Sequence, residues 1–442
     1  MQRSIRGLPV HRSAVAAWAM AVSFLVPSGV AAQSSIPERL TLREAVALAV
    51  ERNPAMVVAR AGVDAAEGDR LAASRRPNPA LSVDSAGYPA FEPGRPRYWG
   101  NQEFTVRFDQ ELETSGRRRL RTEVAESGLA TAQLGVQDRA RGIGLDVRRA
   151  YLVAVLAHAD RGVAQTSLDE IDRVITLNRA RLEQGEISGA ELRRLQVERL
   201  RFVEDVFGAD LALKNARSTL LALLNAPRLD QPLELTDGLK ASAAEGLDAL
   251  TIASADAAGA PNLLTQALEL RPDVLAARRE QVQAETSTRL QRALRTPNVT
   301  VGGGYQNNFG SDGVVFGVTL PLPFFDQNPG GIARANAERR AADARADATA
   351  TAVRLDVQRA LNAVDTNRAR VQYIEQEYLK NAQESRDIVL ESYRLGVADL
   401  IDFLDAQRAF RDTQRTYNRA LFDQRVSLFE LAAAVGRPDV QP

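Results

Sequence analysis

Proline is the residue that most limits this 442-residue chain. It has 19 prolines, yet none falls between Pro96 and Pro227 and none between Pro329 and Pro438. Two proline-free tracts of 130 and 108 residues, rich in Ala, Arg, Glu, Gln and Leu, read as very long helices, because proline inside a helix removes a hydrogen bond and clashes with the preceding turn. Each tract has one plausible break, at Gln184-Gly185-Glu186 and at Leu395-Gly396-Val397, so each predicts a helical hairpin closed by a glycine.

The two tracts belong to a duplicated pattern. Asn53-Pro54 resembles Arg271-Pro272, Pro77-Asn78 resembles Pro297-Asn298, and Gly185, Gln196 and Pro227 recur at a constant offset of 211 as Gly396, Gln407 and Pro438. Each half reads as short helix, two strands, very long helix, return helix. The predicted helices are 54–75, 117–184 and 187–225 in the first half, and 272–296, 330–395 and 398–436 in the second. In both halves the short and return helices together match the long one to within seven residues. End-to-end stacking of the two against the third predicts a rod of about 100 Å at 1.5 Å per residue. The first return helix carries Leu192, Leu195, Phe202, Val206, Ala209, Leu213, Ala216, Leu220 and Leu223 as a coiled-coil seam broken by Arg199. The second carries a smaller and more polar stripe, Phe403, Ala406, Phe410, Thr413, Tyr417, Ala420, Gln424, Ser427 and Leu431, which predicts a more water-facing hairpin.

Composition removes whole classes of function. With no cysteine the chain has no disulfide framework, thiol nucleophile or cysteine metal site, so no cofactor is expected and an enzyme is not. Basic and acidic residues balance at 56 each, which gives no reason to expect nucleic acid. Residues 1–32 combine Arg3, Arg6 and Arg12, an apolar run Ala14 to Val26, and small residues up to Ala32, the pattern of a secretory signal peptide. Its removal leaves a mature net charge of −3, with His158 the one remaining histidine, expected to be an ordinary helix residue. No later stretch reaches the 18 or so apolar residues of a spanning helix.

Between short and long helices lie strand-like segments, about 80–112 and 298–322. Phe104, Val106, Phe108 and Leu112 alternate with Thr105, Arg107, Asp109 and Glu111. Val314, Phe316, Val318, Leu320 and Leu322 alternate with Val315, Gly317 and Thr319, and Val299, Val301 and Tyr305 do so among Asn and Gly. Period-two alternation over about ten residues suits a transmembrane β-strand, and equally a half-buried strand of a soluble sheet. Tyr88, Phe91, Tyr98 and Trp99, with Tyr305, Phe309, Phe324 and Phe325, would supply interfacial aromatics. Four strands cannot close a barrel, so strands that span a membrane require oligomerisation.

With these features in place the chain resembles the TolC-like outer membrane factors, and within them the heavy-metal-efflux CzcC- and CusC-like branch. The resemblance covers nearly all of residues 33–442. It rests on Leu42-Arg43-Glu44-Ala45-Val46, Asn53-Pro54, Leu322-Pro323-Phe324-Phe325-Asp326, Tyr393-Arg394-Leu395-Gly396 and Asp402-Phe403-Leu404-Asp405-Ala406-Gln407. It implies a mainly α fold with a β-barrel: a homotrimer whose strands form a 12-stranded barrel in outer membrane lipid, continued by a periplasmic α-helical barrel. The implied repeats are 33–225 and 261–442, with 226–260 an equatorial linker. The implied activity is that of a passive exit duct, docked to a periplasmic adaptor and an inner-membrane transporter, and gated at its periplasmic tip.

The resemblance also assigns the tip. The family's constriction maps onto Tyr393, Asp402 and Asp405. The adaptor-meeting loops map onto Gly185, Glu186, Ile187 and Ser188, and onto Gly396, Val397, Ala398 and Asp399. Asp402 and Asp405 are three apart on one helical face, so threefold symmetry would set six carboxylates about an axis and favour cations. Taken alone, acidic residues at a helix start equally read as dipole-favoured and solvated. Ala398 departs from the family, which often has a basic residue there. Lacking Cys and rich in neither His nor Met, the chain does not itself select soft metals, so metal cargo rests on the resemblance. The alternatives are a drug, solvent or protein exit duct and, from another class, a secreted coiled-coil scaffold without a pore.

Overall fold

The structure, a computed structural model, describes residues 36–87, 103–240 and 259–437. The expected signal segment 1–32, the aromatics Tyr88, Phe91, Tyr98 and Trp99, and residues 241–258 of the expected linker lie outside the described residues.

In chain order the first half holds β1 (Arg39–Leu40), α1 (Leu42–Arg52), α2 (Pro54–Ser74), β2 (Ala80–Ala86), β3 (Glu103–Leu112), α3 (Arg117–Glu183) and α4 (Gly189–Leu223). β4 (Glu234–Leu235) and α5 (Gly259–Leu270) follow. The second half holds α6 (Pro272–Ala293), β5 (Val299–Asn308), β6 (Ser311–Thr319), α7 (Pro329–Tyr373), a π-helical segment (Ile374–Leu379), α8 (Lys380–Arg394) and α9 (Leu400–Val435). α3 alone has 67 residues, about 100 Å at 1.5 Å per residue.

The short and return helices meet end to end in both halves, and the joints are specific. Asn53 caps α2 by accepting from Ala55 N (2.9 Å), while its Nδ2 donates to the Leu223 carbonyl at the end of α4 (3.0 Å). Asn225 Nδ2 returns a bond to the Arg52 carbonyl (3.3 Å). In the second half Arg271 precedes α6 and donates to the Ala434 carbonyl of α9 (3.3 Å). There the chain turns through Gly436 at φ +74°, where a Cβ would meet the Arg271 backbone at 3.0 Å. Orphan groups at one helix end thus find partners at the next, as buried helix termini require.

Four differences from expectation stand out. α1 is a helix in its own right, started by a capping box in which Thr41 and Glu44 bond reciprocally. α5 is a second helix ahead of a proline-led one. The second long helix is not continuous but passes through the π-helical segment, where Glu375 accepts from Lys240 (3.2 Å) and Tyr417 (2.9 Å). The α9 stripe is buried rather than water-facing, with Phe403, Phe410, Tyr417, Ala420, Ser427 and Leu431 all inside, because α9 packs against α3, α7 and α8 together. The water-facing member of that hairpin is α8, where only Tyr393 is buried.

A knot near the middle of α3 fixes the chain's short parallel pair. β1 and β4 pair in parallel, and the buried Tyr151 hydroxyl lies 2.9 Å from both the Leu40 carbonyl and Asp237 Oδ2. Asp237 Oδ2 also accepts from Leu42 N (2.7 Å).

Candidate functional site

Two regions bear on the expected function: the sheet at one end of the long helices and the hairpin turns at the other. The sheet is antiparallel in the order β2-β3-β5-β6, so the second hairpin pairs directly with the first and β2 and β6 are free edges. Register sorts its side chains. Leu81, Val83, Val106, Phe108, Val301, Tyr305, Val314, Phe316 and Val318 share one face, since Leu81 opposes Phe108, Val106 opposes Tyr305 and Gly303 opposes Phe316. This face is bare: Val314, Phe316 and Val318 are between 72% and 82% exposed. Contiguous exposed apolar faces are uncommon on soluble proteins and mark surfaces that meet a membrane or another protein.

The opposite face holds Ser82, Asp84, Thr105, Arg107, Asp109, Glu111, Thr300 and Gln306. Arg107 and Asp109 form an ion pair at 2.8 Å that lies over the glycine run of β5. A Cβ on Gly302 would fall 1.9 Å from Asp109 Oδ1, and one on Gly304 would fall 2.0 Å from the Val106 carbonyl. On the apolar face the Phe316 ring covers Gly303, and a Cβ there would lie 3.2 Å from it. Of the three, Gly304 is the one closed off by backbone, whereas the neighbours of Gly302 and Gly303 are side-chain atoms that can give way.

At the far end the two turns are built alike. Gly185 and Gly396 both adopt φ +77°, and the following amides, Glu186 N and Val397 N, reach back to the Arg181 (2.9 Å) and Ser392 (2.8 Å) carbonyls. This six-to-one closure is the Schellman ending that favours glycine. Ser188 then caps α4 through Glu191 N (3.2 Å), and Asp399 caps α9 through Ile401 N (2.8 Å) and Asp402 N (3.1 Å). Ser188 and Asp399 are thus helix caps, while Glu186, Leu395 and Val397 are exposed at the turns. Ile187 and Ala398 are partly covered.

The structure separates the three expected constriction residues. Asp402 and Asp405 are exposed on one face of α9, and Asp405 pairs with Arg408 (3.1 Å). Tyr393, expected beside them, is 3% exposed and lies in a core with Ile171, Val174, Ile175, Leu195, Phe202, Leu400, Phe403 and Leu404. Its ring stacks on Phe403 at 5.5 Å, and its hydroxyl donates to Asn178 Oδ1 of α3 (3.0 Å). Burial pushes the Tyr393 hydroxyl pKa above its ordinary value. The aromatic ring faces the other hairpin because its apolar body is better buried there than at a polar tip. It joins the hairpins, while Asp402 and Asp405 stay exposed on α9.

Further clasps between the hairpins were not legible in the sequence. Glu170 of α3 accepts from Arg386 of α8 (2.7 Å) and Gln407 of α9 (2.5 Å), and the Arg386 guanidinium sits 4.3 Å above the Phe410 ring. Arg181 donates to the Tyr393 (3.3 Å) and Arg394 (2.5 Å) carbonyls. Arg408 pairs with Glu198 (2.8 Å) and Arg411 with Asp205 (2.6 Å), tying α9 to α4. The partners stand 206 to 237 residues apart in the chain, and the one hint of them was the recurrence of Gln196 as Gln407. Arg199, which interrupts the α4 seam, bonds Asp172 (2.5 Å) and holds that carboxyl below its usual range. His158 is exposed, and among the described residues no group of three or more His, Asp or Glu is placed to hold a metal.

A small exposed sheet carried on helices of some 100 Å, with a twin-hairpin tip at the other end, defines the class of TolC-like outer membrane channels. The fold is similar to that of the outer membrane protein VceC from Vibrio cholerae, with a TM-score of 0.71 at 20% identity over 89% of this chain and 96% of that one. The chain belongs to the outer membrane efflux protein family, whose pattern matches residues 45–226 and 263–437. It is 27% identical over 416 residues to the cobalt-zinc-cadmium resistance protein CzcC of Cupriavidus metallidurans, covering 90% of this chain and 93% of that protein. It is 25% identical over 330 residues to the nickel-cobalt-cadmium resistance protein NccC of Alcaligenes xylosoxydans xylosoxydans, covering 74% and 70%.

Proposed function

We propose that this outer membrane efflux protein is the exit duct of a tripartite pump that exports heavy-metal cations. The observation that carries the reading is the four-stranded sheet with two free edges and a bare apolar face. In lipid the unpaired backbone groups of β2 and β6 would each cost several kcal/mol, so the edges must pair with other copies. Three copies give a 12-stranded barrel with the apolar face to outer membrane lipid and the Arg107–Asp109 face to the lumen. The helices continue the duct through the periplasm. A periplasmic adaptor meets the exposed turns at Gly185–Ser188 and Gly396–Asp399, and an inner-membrane transporter supplies the cargo. The chain itself is a passive conduit.

At the tip, Asp402 and Asp405 of three copies ring the axis and form the cation-attracting constriction. Tyr393 serves that gate indirectly, by holding the second hairpin against Asn178. Export follows from a cleaved leader at 1–32, and the mature chain is two repeats, 33–225 and 261–442, about the linker 226–260. The twice-repeated element order supports this division.

The metal assignment is supported by the two resistance proteins above and is tested in cells. Deleting the gene is expected to lower the cobalt, zinc or cadmium concentration that stops growth, and the full-length gene is expected to restore it. Unchanged metal tolerance together with new sensitivity to drugs or solvents would move the cargo to those compounds.

A further inference from the structure

Where the sheet gives way to the helices, the chain is strongly basic. No acidic residue falls between Asp69 and Asp84 or between Glu285 and Asp312, and α3 opens on Arg117-Arg118-Arg119 with no acidic residue in its first turn. Three arginines at a helix start oppose the helix dipole, which favours anions there, so local structure does not account for them. Arg117 is spent on the Leu294 and Thr296 carbonyls at the end of α6. The carboxylates of the joining segments 75–79, 113–116, 294–298 and 320–328 are engaged as well: Glu113 pairs with Arg121 (2.6 Å), and Asp326 accepts from the Asn328 amide (2.8 Å).

Three exposed arginines share one side of the molecule. At this end α3 packs between α2 and α6, and α6 between α3 and α7, in the order of the strands they join. Glu113 continues the alternation of Asp109 and Glu111, so its partner Arg121 marks the side of the polar sheet face. At 100° per residue Arg119 points the other way. On the Arg121 side Gly128 of α3 lines a groove with Glu280, Gln283, Ala284 and Ser287 of α6, and Arg289 and Arg292 lie on the opposite side of that helix. All three arginines are exposed. Among the described residues the Arg292 side chain has no partner and Arg289 reaches only Thr286 of its own helix (2.9 Å). Arg119 makes a pair with Glu123 (2.8 Å), 71% exposed on the arginine side, of the kind that is worth little and re-pairs freely.

These arginines stand on the side of the bare apolar sheet face. Leu112 and Val299 oppose each other at the helical end of that face, and each is seven residues from an arginine of the trio, Arg119 or Arg292. Phe324 and Phe325, just beyond β6, are exposed at the same end, as aromatics at a membrane–water boundary are. Farther down α3 and α6 the next carboxylates, Glu123 and Glu285, come about 9 and 12 Å from the helix ends. The order down this surface is apolar sheet, arginine, mixed charge, which is the order of a leaflet: hydrocarbon, phosphate, water.

We propose that Arg119, Arg289 and Arg292 bind the phosphate groups of anionic phospholipids in the periplasmic leaflet of the outer membrane. The inference rests on the barrel reading and adds a lipid site to it. α3 and α6 are flanked on both sides within the chain, so copies joined through the edge helices α2 and α7 leave this face open. A guanidinium offers a planar fork of donors to phosphate oxygens, and each juxtamembrane arginine favours an anionic surface by about fivefold.

The test uses the full-length protein in vesicles of phosphatidylcholine alone or mixed with phosphatidylglycerol, and reads the temperature at which the trimer dissociates. Phosphatidylglycerol is expected to raise that temperature in the wild type, and the rise is expected to vanish in Arg119→Gln/Arg289→Gln/Arg292→Gln. Going from about 0.1 M to about 1 M salt, which shortens the screening length from about 10 to about 3 Å, is expected to shrink the rise. Lysine at the same three positions is expected to keep most of it, and Arg345→Gln, beside the groove on the polar side, to keep all of it. If the triple glutamine variant does not assemble, Arg292→Gln alone is expected to lose part of the rise. No rise in the wild type, or an equal rise in the glutamine variants, overturns the site. Inorganic phosphate that reproduces the rise in phosphatidylcholine vesicles makes this a free-anion site, and soluble peptidoglycan fragments that reproduce it assign the arginines to the cell wall; either overturns the lipid. A chain that inserts into neither vesicle overturns the barrel reading itself.

Discussion

At the scale of single residues the tip is governed by what Tyr393 and Asn178 do for each other. The amide of Asn178 is buried, with Nδ2 donating to the Val174 carbonyl (3.0 Å) and to the Tyr393 hydroxyl (2.7 Å) and Oδ1 accepting from that hydroxyl (3.0 Å). Tyr393→Phe keeps the stacking on Phe403 but strands that oxygen, so the tip is expected to lose about 1–3 kcal/mol of local stability. Hydrogen exchange of amides near Gly396 reads this directly, and exchange in the four-stranded sheet at the other end should be unaffected. The same clasp has a pH limit. Burial raises the hydroxyl pKa above its ordinary 10.0, so the neutral form is the one folding favours. Its contribution is complete below about pH 10 and fades as pH rises through the raised value. Tip protection in the wild type should therefore fall on the alkaline side, while Tyr393→Phe, which has nothing to ionise, shows no such fall.

Individual elements are set by short signals, and the glycines of β5 show how narrow those signals are. A Cβ at Gly304 would meet backbone, the Val106 carbonyl, whereas nothing lies within 4 Å of a Cβ at Gly317 one strand away. Gly304→Ala is expected to break the β3–β5 pairing that joins the two halves of the sheet, costing more than the ~1–3 kcal/mol of ordinary overpacking because backbone must move. Gly317→Ala should be close to neutral. Heat-modifiable migration on gels separates the two. The helices were legible from the sequence because proline, glycine and period 3.6 are local; Arg117–Glu183 and Pro54–Ser74 ended within a residue of expectation. α1 was missed although Thr41-Leu42-Arg43-Glu44 is a capping-box sequence, since an 11-residue helix lacks the length that made the others plain. The π-helical segment had no signal, because its surplus residue is accommodated by Lys240 and Tyr417 gathered around Glu375 from elsewhere in the chain.

For the whole molecule the consequence lies in symmetry. If six carboxylates from Asp402 and Asp405 ring one axis, replacing both by alanine removes the field that draws and holds cations there. The double variant is expected to raise single-channel conductance in planar bilayers and to weaken block by multivalent cations. Unchanged conductance and block would take the ring out of the mechanism. Arg408, bonded to both Asp405 and Glu198, already offsets part of that charge and ties α9 to the first hairpin. In the gate proposed above, opening would have to break or carry along this link as well as the Tyr393 and Glu170 clasps.

The sequence by itself determined the long helices, the twofold order, the turns at Gly185 and Gly396 and the two faces of the strands, because each depends on neighbours within a few residues. Only the tertiary structure decided that Tyr393 turns inward to Asn178 and that Glu170 spans both helices of the second hairpin. It also decided that α9 is buried while α8 faces water. Those outcomes join residues some 200 positions apart, and no local pattern records which distant side chain will fill a given gap; packing and the pairing of buried polar groups do.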